Sequence, residues 1–398
     1  MEQESNLKSK SSALLVFILT VGVFGIINTE MGVVGILPLI AETFHVSVPQ
    51  AGWTVSAFAL VVAISAPVTP LLFSGVNRKT MMLVSLGLFI VSNVISMLTT
   101  HFTVLLIARI IPAFLHPVYI SIALTVAASS VSSEKSAKAV AKVFIGVSAG
   151  MVLGVPVTSY IASEVSFSMA MLFFTVVNAL VFIATLLFVP SMPVKEKMSY
   201  GAQLSVLKRT SVWYSILAVT LINGALFGFF SYMSDFLKNV TEVPYSVISG
   251  MLLVYGLSSI IGNVLAGKLL SLNARRCIVT LPVILLITYI CLFIAGEWLG
   301  TMIIILFILG ILSGVATNGM QYMITRSAPE APDFANGLFL ASANLGTTMG
   351  TAVCGLFITD MGTRYSVFGA FLFLIFSMVF VYLRVRDGEE KQLAGTYS

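Results

Sequence analysis

Apolar residues in this chain run in long blocks separated by short polar clusters. They show neither the alternation of a half-buried strand nor the single stripe of a soluble helix. Crossing the ~30 Å hydrocarbon core of a bilayer takes roughly 20 apolar residues in one helix. Windows of that kind begin near Leu14, Ala51, Met81, Phe102, Ala139, Ser168, Ser211, Ser246, Cys277, Met302, Ala335 and Val367, which predicts twelve spans. The opening stretch MEQESNLKSKSSALLVFILT starts like a secretory signal. Its apolar run continues to about Leu39 without a small-residue cleavage site, so it reads as a retained first span.

Basic residues in the connections give the orientation. With the N-terminus inside, 18 of the 21 lysines and arginines fall in cytoplasmic segments, Lys238 and Arg364 fall outside, and Arg109 lies within a span. Both termini are therefore expected in the cytoplasm of a multi-pass cell-membrane protein. The longest polar connection, residues 191–210, follows span six and separates an N-terminal unit, residues 1–190, from a C-terminal unit, residues 211–398. Equivalent loops resemble one another: SGVNRKTMML follows span two and AGKLLSLNARRCIV follows span eight. Parallel repeats with a site at their interface are a transporter architecture. The expected fold is all-α and polytopic, with twelve transmembrane helices in two pseudo-symmetric six-helix bundles.

Composition narrows the function classes. Of 398 residues, 58% are hydrophobic and 9% charged, against about 25% charged in soluble domains, and the mean hydropathy is +1.04. The net charge of +5 is spread over short loops, which gives no nucleic-acid surface. Cys277, Cys291 and Cys354 sit in or beside apolar segments and read as core residues, not as a disulfide frame or a metal site. The three histidines, His45, His101 and His116, have no metal-ligand spacing, and no phosphate-binding loop is present. These features argue against an enzyme and against ATP-driven transport. No cofactor or metal is expected.

At four places the chain resembles the major facilitator superfamily, in its twelve-span drug:proton antiporter branch, and is similar there to bacterial sugar, purine-base and chloramphenicol efflux proteins. They are NTEMGVVGILPLIAETFHVSVPQAG (Asn28 to Gly52), the loop from Gly75 to Lys79, the intramembrane Arg109, and GVSAGMVLGVP (Gly146 to Pro156). The resemblance covers about Leu14 to Arg386. The Gly75–Lys79 loop has Asn77 where the family pattern has aspartate, and Pro112 and Pro117 stand where a glycine is expected after the arginine. What the resemblance implies is the major facilitator fold and proton-gradient-driven export of a small organic molecule (a drug, sugar or nucleobase) by a monomer. An uptake facilitator or proton symporter is the alternative within the same fold; a membrane sensor or a membrane-embedded enzyme is the alternative outside it.

The residues add their own argument. A carboxylate at membrane depth costs on the order of 3 kcal/mol or more, which marks Glu30 as functional. Gly22, Gly25, Gly32 and Gly35 cluster about 150° from Glu30 around the helix, so they are expected to pack on a neighbour while Glu30 faces a cavity. Arg109 lies at a matching depth in span four, and His116, seven residues on, shares its face. We expect Glu30 and Arg109 to face each other, either as a pair that a proton or cargo opens or as a static pair locking two helices. Asn28, Asn223, Asn318, Gln321 and Tyr322 are candidate substrate-lining residues, although amides inside spans also bridge helices. Gly146, Gly150 and Gly154 form a one-sided row ended by Pro156, expected where the two halves rock against each other. Arg78 and Lys79, matched by Arg275 and Arg276, are expected to cap helix C-termini and latch the inward side. Asp235 and Lys238 read as a solvated pair at the outer end of span seven.

Overall fold

The computed structural model describes residues 2–193, 203–328 and 332–396. Residues 194–202 of the expected central connection, with Lys195 and Lys197, lie outside the described residues. Every regular element that is described is helical. Among the described residues ten helices are long and apolar enough to cross a membrane: α1 (Ser12–Phe44), α2 (Val48–Ser65), α3 (Arg78–Leu98), α4 (Phe102–Ser129), α5 (Lys142–Glu164), α6 (Phe167–Phe188), α7 (Thr210–Ser231), α8 (Tyr245–Ala295), α9 (Leu299–Ser327) and, last of these, Thr363–Asp387. Between the last two lies α10 (Pro332–Met361), so the final helix is α11.

With 51 residues α8 covers two of the windows expected from the sequence. At ~1.5 Å per residue it would be about 76 Å long, over twice a hydrocarbon core. It breaks at Asn273, whose φ of −157° and ψ of 87° are non-helical. The Asn273 Oδ1 accepts from the Arg276 N–H at 2.9 Å and so starts the next helical segment.

Other breaks follow from glycine and proline. In α1 the α-helix ends at Met31, a 3₁₀ segment runs over Gly32–Ile36, and α-helix resumes at Leu37–Phe44. Gly32 and Gly35 loosen this stretch, and Pro38 has no N–H for the carbonyl four residues back. In α4 the segments Phe102–Ala113 and His116–Ser129 flank a short gap, with Pro112 inside the first and Pro117 at the start of the second. α5 breaks between Val152 and Gly154, because Pro156 cannot donate to the Val152 carbonyl.

The glycine rows explain which helices touch. A Cβ at Gly146 would lie 2.2 Å from the Thr20 carbonyl oxygen, one at Gly150 2.7 Å from Ile27 Cγ2, and one at Gly154 2.4 Å from Asn28 Oδ1. The α5 row therefore packs on α1 of its own half. This corrects the expectation that it lies between the two halves. α5 meets the other half on a different face: the Val152 carbonyl oxygen would be 2.9 Å from a Cβ at Gly256 of α8, and the segment Gly154–Glu164 packs along α8. In the C-terminal half, Gly346 and Gly350 of α10 approach the carbonyls of Thr220 and Gly224 of α7 in the same way, at 2.3 and 2.1 Å from their Cβ positions. Glycine permits such backbone approach in a lipid-embedded bundle, where there is no hydrophobic drive between helices.

The halves meet at the end that holds Glu42. There Lys238 pairs with Glu42, the Tyr245 hydroxyl donates to Glu42 Oε1 at 3.2 Å, and the Tyr232 ring is wedged against Gly52 and Gly355. Further in, Thr348 Oγ1 donates to the Ser56 carbonyl at 3.2 Å. Toward the opposite end, which holds Ser12, α2 and α10 separate around a cavity of about 540 Å³.

Candidate functional site

The site forms where α1 and α4 both lose regular helix. Glu30 is the penultimate α-helical residue before the 3₁₀ segment, and His116 opens the second segment of α4. Glu30, Arg109 and His116 are all buried, with 6%, 4% and 1% exposure, so none of them meets lipid or an open cavity. The glycines of α1 do pack on neighbours as expected: Gly22 on Tyr119, Gly25 on Asn178, Gly32 on Phe174, and Gly35 on Val155. Glu30 accordingly points into the N-terminal half.

Its partner differs from expectation. The guanidinium of Arg109 does not pair with the Glu30 carboxylate. Its Nε donates to the Thr54 carbonyl at 3.1 Å, and its two terminal nitrogens donate to the carbonyls of Thr29 at 3.3 Å and Glu30 at 3.2 Å. The physical reason is the break in α1. Carbonyls in a final α-helical turn carry partial negative charge and must find donors inside the bilayer. A planar guanidinium with five N–H groups serves carbonyls on two helices at once.

The carboxylate is left to His116, whose Nε2 lies 3.0 Å from Glu30 Oε2. The imidazole is turned out of hydrogen-bond alignment with it, and neither ring nitrogen has another hydrogen-bond partner. Phe58 of α2 closes the site, with its ring 6.1 Å from His116 in an edge contact and 5.5 Å from the Arg109 guanidinium. Behind it, Thr29 Oγ1 accepts from Asn178 Nδ2 at 3.0 Å and from Asn93 Nδ2 at 3.5 Å, tying α1 to α6 and α3.

Two of the four amides expected to line a substrate site, Asn223 and Asn318, bridge helices. Asn223 donates to the Ala343 carbonyl at 2.6 Å and to Thr347 Oγ1 at 2.9 Å, joining α7 to α10. Asn318 donates to Asn263 Oδ1 at 2.8 Å and to the Gly314 carbonyl at 2.9 Å, joining α9 to α8. Asn28 is wholly buried against Gly154. Gln321 and Tyr322 are half-buried, and the Tyr322 hydroxyl accepts from Arg326 Nε at 3.3 Å. Inside a bilayer an amide without a partner is costly, so neighbouring helices take up the donors of Asn223 and Asn318, whereas the Asn28 amide is buried without a hydrogen-bond partner.

At the Ser12 end, the Asn77 side chain accepts from the Lys79 N–H at 3.0 Å, Lys79 Nζ donates to the Leu186 carbonyl at 2.8 Å, and the Arg78 N–H donates to the Met192 carbonyl at 3.1 Å. Lys79 caps the end of α6 as expected. Both basic residues hold α3 to α6 within one half, and the pair that joins the halves, Glu42 with Lys238, is at the other end. Asp235 is not in a solvated pair with Lys238. It is buried, and its two oxygens accept from Asn239 Nδ2 at 2.7 Å and Thr363 Oγ1 at 2.8 Å. Sequence reasoning missed Phe58, the Thr54 carbonyl and the Glu42 pairing. For the last, a lone acid at the end of span one and a lone outside lysine were the available signal. Among the described residues no group of three or more His, Cys, Asp or Glu could hold a metal ion.

Comparison with known proteins follows the same lines. The family model described as Major Facilitator Superfamily matches residues 18–296 and 242–396. An "Uncharacterized MFS-type transporter YtbD" of Bacillus subtilis (strain 168) is 30% identical over 393 residues, covering 97% of this chain and 99% of the relative. A "Probable sugar efflux transporter" of Helicobacter pylori (strain G27) is 28% identical, covering 89% of this chain and 91% of the relative. Among solved structures, a bacterial homologue of the human lysosomal transporter Spinster, in an inward-facing and unoccupied conformation, superposes with a TM-score of 0.75 at 16% identity, covering 95% of this chain and 97% of the other.

Proposed function

The chain belongs to the Major Facilitator Superfamily, and we propose that it exports a small organic molecule across the cell membrane in exchange for protons, by alternating access of two six-helix bundles. In this reading the bundles are residues 1–190 and 211–398, joined by the connection 191–210. The break at Asn273 divides α8 into two crossings, and with α10 the chain crosses twelve times with both termini in the cytoplasm. The concentration of basic residues in the segments expected there supports that orientation. Contact at the Glu42 end together with separation at the Ser12 end then corresponds to an inward-open monomer. The efflux name carried by the Helicobacter relative supports the direction.

The observation that carries proton coupling is the buried approach of His116 to Glu30 at 3.0 Å. A proton held between two buried groups on broken helices has no competing solvent, and its arrival or loss changes the charge that the N-terminal half must accommodate. Arg109, anchored to backbone, holds the frame of the site instead of exchanging partners. The proton gradient is the driving force, and the reading requires no cofactor.

The test uses proteoliposomes under an imposed pH gradient and a mixed panel of sugars, purines and antibiotics. Glu30→Gln is expected to reduce gradient-driven accumulation to the level of empty vesicles while expression and folding persist. Undiminished proton coupling in that variant sinks the assignment.

A further inference from the structure

Past the Ser56–Thr348 bond the halves diverge, leaving the cavity of about 540 Å³, within the range of ordinary ligand sites. Its walls include Leu60, Ile64 and Val68 of α2, Trp213 of α7, and Leu338 and Leu345 of α10. The one hydroxyl in the lining, that of Ser342, donates back to the Leu338 carbonyl at 2.7 Å. Among the described lining residues the Ser342 hydroxyl and the Trp213 indole N–H both donate to backbone carbonyls, so the walls are almost wholly apolar and offer a sugar little to bind.

What fills the cavity follows from its place. The walls belong to helices of membrane-crossing length or flank them. Ile64 is 60% exposed and Trp213 50% exposed, so apolar side chains at the opening lie uncovered on or beside helices of membrane-crossing length, where acyl chains are at hand to cover them. The rim is basic. Leu207 lines the cavity, the next two residues are the exposed Lys208 and Arg209, and Trp213 Nε1 donates to the Leu207 carbonyl at 2.8 Å, holding the indole against that turn. An apolar slot with cations at its interfacial edge matches an anionic phospholipid, tail inward and headgroup at the rim.

We propose that the cavity between α2, α7 and α10 is a binding site for one acyl chain of a bilayer phospholipid whose anionic headgroup rests on Lys208 and Arg209. The lipid wedges the halves apart at the Ser12 end, and closure of that end requires it to leave. The site is independent of proton coupling, so either reading can fail without the other.

The experiment uses the full-length chain in phosphatidylcholine nanodiscs, with Trp53→Phe and Trp298→Phe leaving Trp213 as the reporter. Phosphatidylglycerol brominated on its acyl chains is titrated in, with brominated phosphatidylcholine as control. Trp213 quenching is expected to saturate at low mole fraction, with half-saturation lower for the anionic lipid by about fivefold per basic residue at low salt. Lys208→Gln with Arg209→Gln should abolish that preference. Ala341→Phe, which fills the cavity from α10, should remove the saturable phase. Ala63→Phe fills it from α2, and size-exclusion chromatography verifies folding of both. Quenching that rises linearly with either lipid, as boundary lipid would give, overturns the proposal. So does a saturable phase that persists in both filled variants, or one without headgroup preference that a sugar or a lipophilic cation displaces.

Discussion

At the position where α1 carries Glu30, α7 carries Phe230. The equivalence rests on packing: Gly146 of α5 meets the Thr20 carbonyl, Gly346 of α10 meets the Thr220 carbonyl, and the same interval along the chain separates Gly146 from Gly346, Thr20 from Thr220 and Glu30 from Phe230. Around Glu30 the N-terminal half gathers His116 and Arg109. Around Phe230 the C-terminal half places Tyr255, stacked at 4.8 Å, and Phe227 at 5.9 Å. The halves thus share their backbone approaches and differ in what their interiors hold. Only glycine fits where a backbone comes this close, so those contacts resist divergence, whereas an interior side chain can change from acid to aromatic wherever its neighbours change too. At these matched places the N-terminal half holds ionisable groups and the C-terminal half holds aromatic rings.

The contrast between the buried Arg109 and the half-buried Arg384 gives the largest expected effect. Arg109 serves three backbone carbonyls on two helices at the break in α1, while Arg384, on α11, donates to Ser215 Oγ at 2.8 Å and the Met323 carbonyl at 3.0 Å, near the Ser12 end. Arg109→Lys should reduce gradient-driven transport to background, because a single ammonium cannot reproduce the planar fork. Arg384→Lys should retain transport and lower stability by about 1 kcal/mol, the worth of an ordinary hydrogen bond. Transport assays on the two variants side by side decide this, and equal losses would erase the distinction between the halves.

A smaller effect tests what the halves share. Gly146→Val and Gly346→Val each drive a side chain into a carbonyl, and each should lower stability to denaturation in detergent by about 1–3 kcal/mol. Similar losses are expected in the two variants. A marked inequality breaks the register that aligns Glu30 with Phe230.

The smallest concerns Asp235, just beyond α7. Burial raises its carboxyl above the usual carboxylate range, and the bonds from Thr363 and Asn239, with the nearby charge of Lys238, offset this only in part. The folded chain then holds this proton more tightly than the unfolded chain does. Its contribution favours the folded state at low pH and is lost as pH rises from the ordinary value through the raised one. Asp235→Asn should flatten that slope in melting temperature against pH and leave the pH profile of transport unchanged. A shifted transport profile would place proton chemistry in the C-terminal half as well.

Much of the site was legible before the fold. Glu30, Arg109 and His116 stood out because charge is rare at membrane depth, and their depths matched from helical rise alone. The glycine faces of α1 and α5 were also legible, since a row at spacing four on one helix has few other uses. Their partners were not. Arg109 was expected to meet a carboxylate and instead meets carbonyls, because the break at Gly32–Ile36 exposes backbone that an unbroken helix would have satisfied. Asn223 and Asn318 were expected to line a substrate path and instead donate to α10 and α8, because helix rotation brings those acceptors nearer than any cavity.

From the order of residues alone came the membrane class, the place of the long apolar windows, and Glu30, Arg109 and His116 as ionisable groups at membrane depth. Each depends on a local cost, since the bilayer penalises every unsatisfied backbone group and every charge wherever it lies. Folding in three dimensions decided who partners whom: His116 with Glu30, Arg109 with the carbonyls of Thr29, Glu30 and Thr54, Lys238 with Glu42, and the α5 glycines with α1. Partner choice depends on the rotation and tilt of every helix against its neighbours, and a rotation of a fraction of a turn carries a side chain from one neighbour to the next.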